Sequence, residues 1–226
     1  MKEIYKIIHE FKIDKKFWTY DNLTGYDYDN LRSKPAPYLK KTIEIAKYLD
    51  MKTVVEIGST RLAVTQKCIE YFNEENNAYI SPNCCCDGHG GFFWTEAGFE
   101  VHTVDINENC INGINWSYSN LQREVPNNLH IHIPKDGIEF VEEFTGNIDV
   151  LFLDGWDKGT YQYAEKHLEC YEKSLNKLSK THLILIDDTD YITSDGGKDK
   201  LLSPRLIEDG YIPLFNGRQT LFLKYE

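Results

Sequence analysis

The stretch Val54–Gln66, "VVEIGSTRLAVTQ", decides the fold. It opens as a buried strand, β-branched and apolar through Ile57, and breaks at Gly58, the residue type that lets a chain turn sharply or pass close to a ligand. The further glycines expected in such a turn arrive only in "CDGHGGFFWTEAGFEVHTVDIN", Cys86–Asn107. Asp87 to Gly91 precede a short helical segment, "FFWTEAGF", that feeds directly into a second strand. They therefore hold the position of a ligand-cradling turn at a helix N-terminus, and Thr60–Cys85 becomes an excursion between the first strand and its helix. The expectation is one site assembled from two pieces of chain remote in sequence.

Outward from these strands the same alternation continues. "LHIHI", "IDVLFLD" and "HLILIDD" are apolar runs that end at Asp or a polar turn, and segments of helical length lie between them. The clearest is "GTYQYAEKHLECYEKSLNKL", with Tyr161, Ala164, Leu168, Tyr171, Leu175 and Leu178 expected on one face. Near-continuous apolar strands joined by helical crossovers imply a parallel sheet covered on both faces, hence an α/β, doubly wound fold. At the end, "YIPLF" and "QTLFLKY" flank the tight turn "NGR", which predicts a hairpin and an antiparallel last strand. Residues 1–50, aromatic and acidic in "FWTYDNLTGYDYDN" and then helical in "YLKKTIEIAKYL", read as a cap or lid over a domain spanning 51–226.

Composition narrows the function. A chain of 226 residues fits one domain. No apolar run approaches the length needed to span a bilayer, and "MKEIYKIIHEFKIDKK" lacks the apolar core of a signal peptide, so a cytoplasmic location away from membranes is expected. The formal charge of −11, from 36 acidic and 25 basic residues, makes nucleic acid a poor partner. A small molecule is the expected partner, and a homo-oligomer is compatible with the sequence. Of the six cysteines, Cys84, Cys85 and Cys86 are adjacent and no C-x-x-C pair exists. They do not read as a zinc site but as reduced thiols packed like small hydrophobes.

In an open parallel sheet, ligands collect beyond the carboxyl ends of the strands, where strand order reverses. The first strand ends in Glu56-Ile57-Gly58-Ser59 and the second in Asp105-Ile106. A carboxylate at the second strand's end can accept both hydroxyls of a ribose. The glycines are too dispersed to seat a pyrophosphate on one helix N-terminus, which counts against a nicotinamide dinucleotide and suits a phosphate-free adenosyl ligand. A nicotinamide-dependent oxidoreductase and a non-catalytic cofactor-binding module remain the alternatives.

From Lys52 onward the chain resembles the class I S-adenosylmethionine-dependent methyltransferases. "VVEIGS" is similar to their first motif, "VHTVDIN" to the second strand with its ribose-binding acid, and "IDVLFLDGWD" to the fourth strand. The resemblance implies a Rossmann-like seven-stranded sheet, mostly parallel, with helices on both faces. It also implies that S-adenosylmethionine is the cofactor. Glu56, Gly58, Ser59, Asp87, Gly88 and Gly90 would then surround its methionine part, Asp105 and Ile106 its ribose side, and Asp136 in "IPKDGIEF" its adenine.

Within that class, Asp154 in "LFLDGWDKGTY" and Asp187-Asp188 in "LILIDDTD" are similar to the metal-binding aspartates of catechol-type and sugar or macrolide O-methyltransferases. Three carboxylates at neighbouring strand ends would make an oxygen-rich Mg²⁺ site able to lower the pKa of an acceptor hydroxyl. The base of the resembling enzymes follows the first metal aspartate by two or three positions. Trp156 stands at the first of those here, so Asp157 and then Lys158 are the candidates, with a helix-capping role the alternative for Asp157. The resemblance favours a sugar acceptor, free, nucleotide-linked, or within a surface polysaccharide or natural product. The aromatic cluster Trp18, Tyr20, Tyr26 and Tyr28 would suit sugar ring faces.

Overall fold

The computed structural model describes residues 2–9, 36–60, 62–73, 89–157, 160–189 and 196–225. In chain order the elements are α1 (Lys2–His9), α2 (Ala36–Tyr48), β1 (Thr53–Ile57), α3 (Gln66–Asn73), α4 (Gly90–Glu96), β2 (Glu100–Val104) and α5 (Asn109–Asn120). They continue with β3 (Leu129–His132), α6 (Gly137–Glu143), β4 (Ile148–Leu153), α7 (Tyr163–Ser174), β5 (Leu178–Ile186), α8 (Leu202–Glu208), β6 (Ile212–Phe215) and β7 (Thr220–Lys224). The strands form one seven-stranded sheet in the order β3-β2-β1-β4-β5-β7-β6. Every pairing from β3 to β5 is parallel, and β7 runs antiparallel to both β5 and β6.

Side-chain alternation divides the interior into two cores. Val54, Val150, Phe152, Leu183, Leu185, Leu221 and Leu223 point to one face, where they meet Leu39 and Ile45 of α2, Phe93 and Trp94 of α4, and Ile114 of α5. Val55, Ile57, Leu151, Leu153, Ile184, Ile186 and Phe222 point to the other, against Phe140 of α6, Tyr171 of α7 and Leu206 of α8. Both faces are covered, so these strands carry apolar side chains on both faces and not only at alternate positions, Glu56 of β1 being a buried polar exception. Each fully buried aliphatic or aromatic side chain contributes roughly 1.5–3 kcal/mol of transfer free energy, which makes the central strands the rigid platform of the molecule. Helix α2, inside the stretch expected to act as a cap, belongs to this platform: Tyr38, Leu39, Ile43, Ile45 and Ala46 are all buried.

The expected apolar face of α7 differs in part. The helix begins only at Tyr163, after Gln162 in a left-handed conformation, which leaves Tyr161 in a turn with 80% of its surface exposed. Leu175 is exposed and Leu178 opens β5. His167, Cys170 and Ser174 are buried on the face instead, because α7 packs with its small and polar side chains against α6 and α8.

Beyond the strand ends, main-chain hydrogen bonds carry the parallel register into the loops. Gly58 N donates to Val104 O (2.8 Å), Asp154 N to Ile57 O (2.8 Å) and Asp187 N to Leu153 O (3.0 Å). The first residues after β1, β4 and β5 are thereby held in a row along the carboxyl rim. The strand order reverses between β1 and β4, and a crevice opens there.

Candidate functional site

At that reversal lies a cavity of about 720 Å³, lined among others by Gly58, Ser59, Asp105, Ile106, Asp136 and Trp156. Its volume is in the range of a drug-sized ligand site. Gly58 has φ +98°. A Cβ there would come within 2.5 Å of Gly155 N and 2.6 Å of Asp154 C, so only glycine lets the β1 and β4 loops cross this closely.

Asp105 is held at both of its carboxylate oxygens. Ser59 N–H donates to its Oδ2 (2.9 Å) and Asn107 N–H to its Oδ1 (2.7 Å). Each oxygen retains a further lone pair, so the carboxylate is oriented yet able to accept from a ligand. Ile106, 70% exposed, presents an apolar surface beside it. Asp136 also lines the cavity, but its side chain caps α6 by accepting from the Ile138 and Glu139 amides, at 2.9 and 3.2 Å.

Two expected cofactor contacts sit elsewhere. Glu56 points away from the cavity, to the opposite face of β1, where Thr103 Oγ1 donates to its Oε2 (2.6 Å). Burial, reinforced by the Asp105 charge and only partly offset by hydrogen bonds from Thr103 and Gly91, raises its pKa to about 8. Gly90 is buried in the first turn of α4 against this carboxyl: a Cβ on Gly90 would overlap Glu56 Oε1 and the Phe152 ring, and one on Gly91 would lie 2.6 Å from Glu56 Oε2. These two glycines are fitted to the packing of a helix on a buried acid. Alternation along β1 is the cause, since Ile57 and Glu56 face opposite sides of the sheet. His89, at the head of α4, is likewise buried, and burial lowers its pKa to about 4. Asp87, Gly88 and Lys158 lie outside the described residues, as do Cys84 to Cys86 and the aromatic cluster at 18–28. Cys68, Cys110 and Cys170 are buried and form no disulfide.

The structure gathers Asp154, Asp187 and Asp188, with one oxygen from each within 4.8 Å of the others. Asp154 and Asp188 line the cavity together with Asp157; Asp187 does not. Asp187 Oδ1 accepts from Gln219 Nε2 (2.8 Å), and Arg218 pairs with both Asp187 (3.3 Å) and Asp188. A residue that sequence reasoning missed completes the cluster. Lys198 Nζ stands 3.1 Å from Asp154 Oδ1 and 3.1 Å from Asp188 Oδ2, with no exposed surface. Burial opposes its charge, but the carboxylates of Asp154, Asp188 and Asp187 outweigh burial and hold the ammonium above its ordinary pKa. With Arg218 and Lys198 inserted among them, the three carboxylates do not fit a divalent ion at the place where sequence expects magnesium: a dication would stand beside a buried ammonium.

No family model matches the chain, and no curated protein matches it. Solved structures do. The methyltransferase PaMTH1 of Podospora anserina, solved with S-adenosylhomocysteine bound, aligns with a TM-score of 0.56 at 13% identity, covering 100% of this chain and 87% of its own. The chain shares its fold with that methyltransferase. The O-methyltransferase TomG of Streptomyces achromogenes, involved in tomaymycin synthesis and solved with S-adenosylmethionine, aligns with a TM-score of 0.53 at 13% identity, covering 95% of this chain and 100% of its own. The seven-stranded, mostly parallel sheet expected from sequence, with its antiparallel last strand, is the one observed. Among the described residues no helix is long and apolar enough to cross a membrane.

Proposed function

We propose that the chain is an S-adenosylmethionine-dependent O-methyltransferase acting on a small hydroxylated acceptor. One observation carries the reading. Among the described residues the cavity at the strand-order reversal is lined by five carboxylates, Asp105, Asp136, Asp154, Asp157 and Asp188, of which Asp154 and Asp188 are paired with Lys198, and by one lysine, Lys166. Such a lining repels the diphosphate of a dinucleotide and attracts a cationic, phosphate-free ligand, which a sulfonium is. Asp105 would hold the ribose hydroxyls, Ile106 and Trp156 would flank the base, and Gly58 and Ser59 would pass close to the methionine part.

Transfer is a direct displacement. When bound, S-adenosylmethionine would supply its methyl group to the acceptor oxygen, the electron pair of the broken carbon–sulfur bond leaving on sulfur, and a carboxylate on the cavity wall would take the hydroxyl proton. Asp157 is exposed beside the cavity, and its own carbonyl is anchored by Thr160 N–H (3.0 Å) and Thr160 Oγ1 (2.7 Å), which keeps it in place as the base. Holding both reactants in line supplies most of the rest. A sugar is the acceptor class we favour, because carboxylates that accept from hydroxyls stand next to the exposed ring of Tyr161. Magnesium has no part in this reading, for the reason given by Lys198.

Calorimetric titration with S-adenosylhomocysteine and, separately, with NAD tests the cofactor: binding of NAD alone would overturn the proposal. Methyl transfer to a panel of sugars, catechols and amines tests the acceptor. Transfer only to nitrogen or to catechols would exclude the sugar reading, and no product with any acceptor would favour a cofactor-binding module.

A further inference from the structure

The ammonium of Lys198 makes three polar contacts: the side chain of Asp154 (3.1 Å), the side chain of Asp188 (3.1 Å) and the main-chain oxygen of Asp154 (3.0 Å). An ammonium has three donors, so all are spent within the cluster and none is left for an acceptor or a proton relay. The main chain that carries this lysine is held close to the end of β5. Lys198 N donates to Asp188 O (3.2 Å), and Gly197 lies so close to the end of β5 that a Cβ would come within 2.8 Å of Thr189 Cα and 2.9 Å of Asp188 O.

Charge points the same way. Three carboxylates with Lys198 and Arg218 leave the cluster one negative charge; adding a dication would leave it one positive charge, enclosed and next to a buried ammonium. Removing charges from water is costly unless each is matched, and the observed arrangement matches them. Asp187 turns both oxygens to Gln219 and Arg218, so only Asp154 and Asp188 face the cavity.

We infer that Lys198 is a built-in cation that takes the place of a dissociable metal ion between Asp154 and Asp188. It is a positioning residue. It fixes both carboxylates at the cavity wall and keeps its own proton while the acceptor's proton goes to a carboxylate. The role in catalysis rests on the methyltransferase reading; the exclusion of metal rests on geometry alone.

Manganese(II) titration followed by electron paramagnetic resonance, on the full chain stripped with EDTA, tests the exclusion without an activity assay. The wild-type protein is expected to take up no stoichiometric Mn²⁺. K198A and the longer neutral K198Q are expected to gain Mn²⁺ affinity by roughly tenfold or more, since a like charge beside the ion is removed, whereas K198R gains none. Uptake of one Mn²⁺ per wild-type chain, lost in D188N, would overturn the inference, as would a folded K198Q with no gain. The wild-type titration decides even if the lysine variants fail to fold. S-adenosylhomocysteine calorimetry on the same sample keeps the two readings apart: no binding there overturns the methyltransferase reading and leaves the manganese result standing.

Discussion

Ser59 N–H donates to Asp105 Oδ2 across 2.9 Å, so the turn that ends β1 aims the carboxylate that ends β2. The pair joins two strands 46 residues apart in sequence into one ligand-facing unit. Replacing Asp105 with Ala removes two charge-assisted acceptors from the proposed ribose site. S-adenosylhomocysteine binding should weaken by roughly 10- to 100-fold, with D105N intermediate. Isothermal titration calorimetry reads this directly, and unchanged affinity would dismiss Asp105 from the site.

Glu56 gives stability a pH dependence opposite to that of an ordinary paired carboxylate. Its folded pKa, about 8, lies above the unfolded value near 4.5, so the folded state holds the proton more tightly. The contribution is complete below pH 4.5 and is lost as pH rises toward 8. The loss is at most on the order of 5 kcal/mol. E56Q, which cannot ionise, should flatten the curve and melt higher than wild type at pH 8; a parallel decline in both proteins would remove Glu56 as the cause.

The fit of α4 on the same acid is testable by a double-mutant cycle. G90A alone should destabilise the protein by roughly 1–3 kcal/mol through overpacking against Glu56 and Phe152. In an E56A background the added methyl gains space, and the two changes should couple by about 1 kcal/mol or more in denaturant unfolding. Additive effects would mean that the glycine serves some other purpose.

For the proton acceptor, D157N is expected to lower kcat by roughly 10²- to 10⁴-fold while leaving S-adenosylhomocysteine affinity unchanged. A loss of only about threefold would assign Asp157 to the loop and pass the role to Asp154.

Much of the framework was legible because its signals are local. "IDVLFL" announces β4 by being apolar on both faces, which a strand needs when helices cover both sides, and "NGR" announces the final hairpin. Gly58, Asp105 and Asp154 were readable as rim residues because they follow the strands immediately. The α7 face was misjudged at Tyr161 and Leu175, where the helix had not begun or had already ended, and periodicity is blind to such ends.

The glycines of "DGHGG" show the limit more sharply. Residue type announced a close approach at Gly90, and the structure shows one to Glu56. A glycine's missing side chain has the same signature whatever occupies the space.

From the amino-acid order alone came the sheet, its hairpin end and the acids along its rim, since strand periodicity and turn chemistry act over a few residues. Which acids share a cavity, which are turned to the back of the sheet, and that Lys198 stands between Asp154 and Asp188 came from packing. Lys198 and Asp154 are 44 residues apart, and nothing in the sequence around "GGKDK" specifies a counterion. Such pairings arise only when loops from separate strands close over one another, where burial forces each charge to find its match.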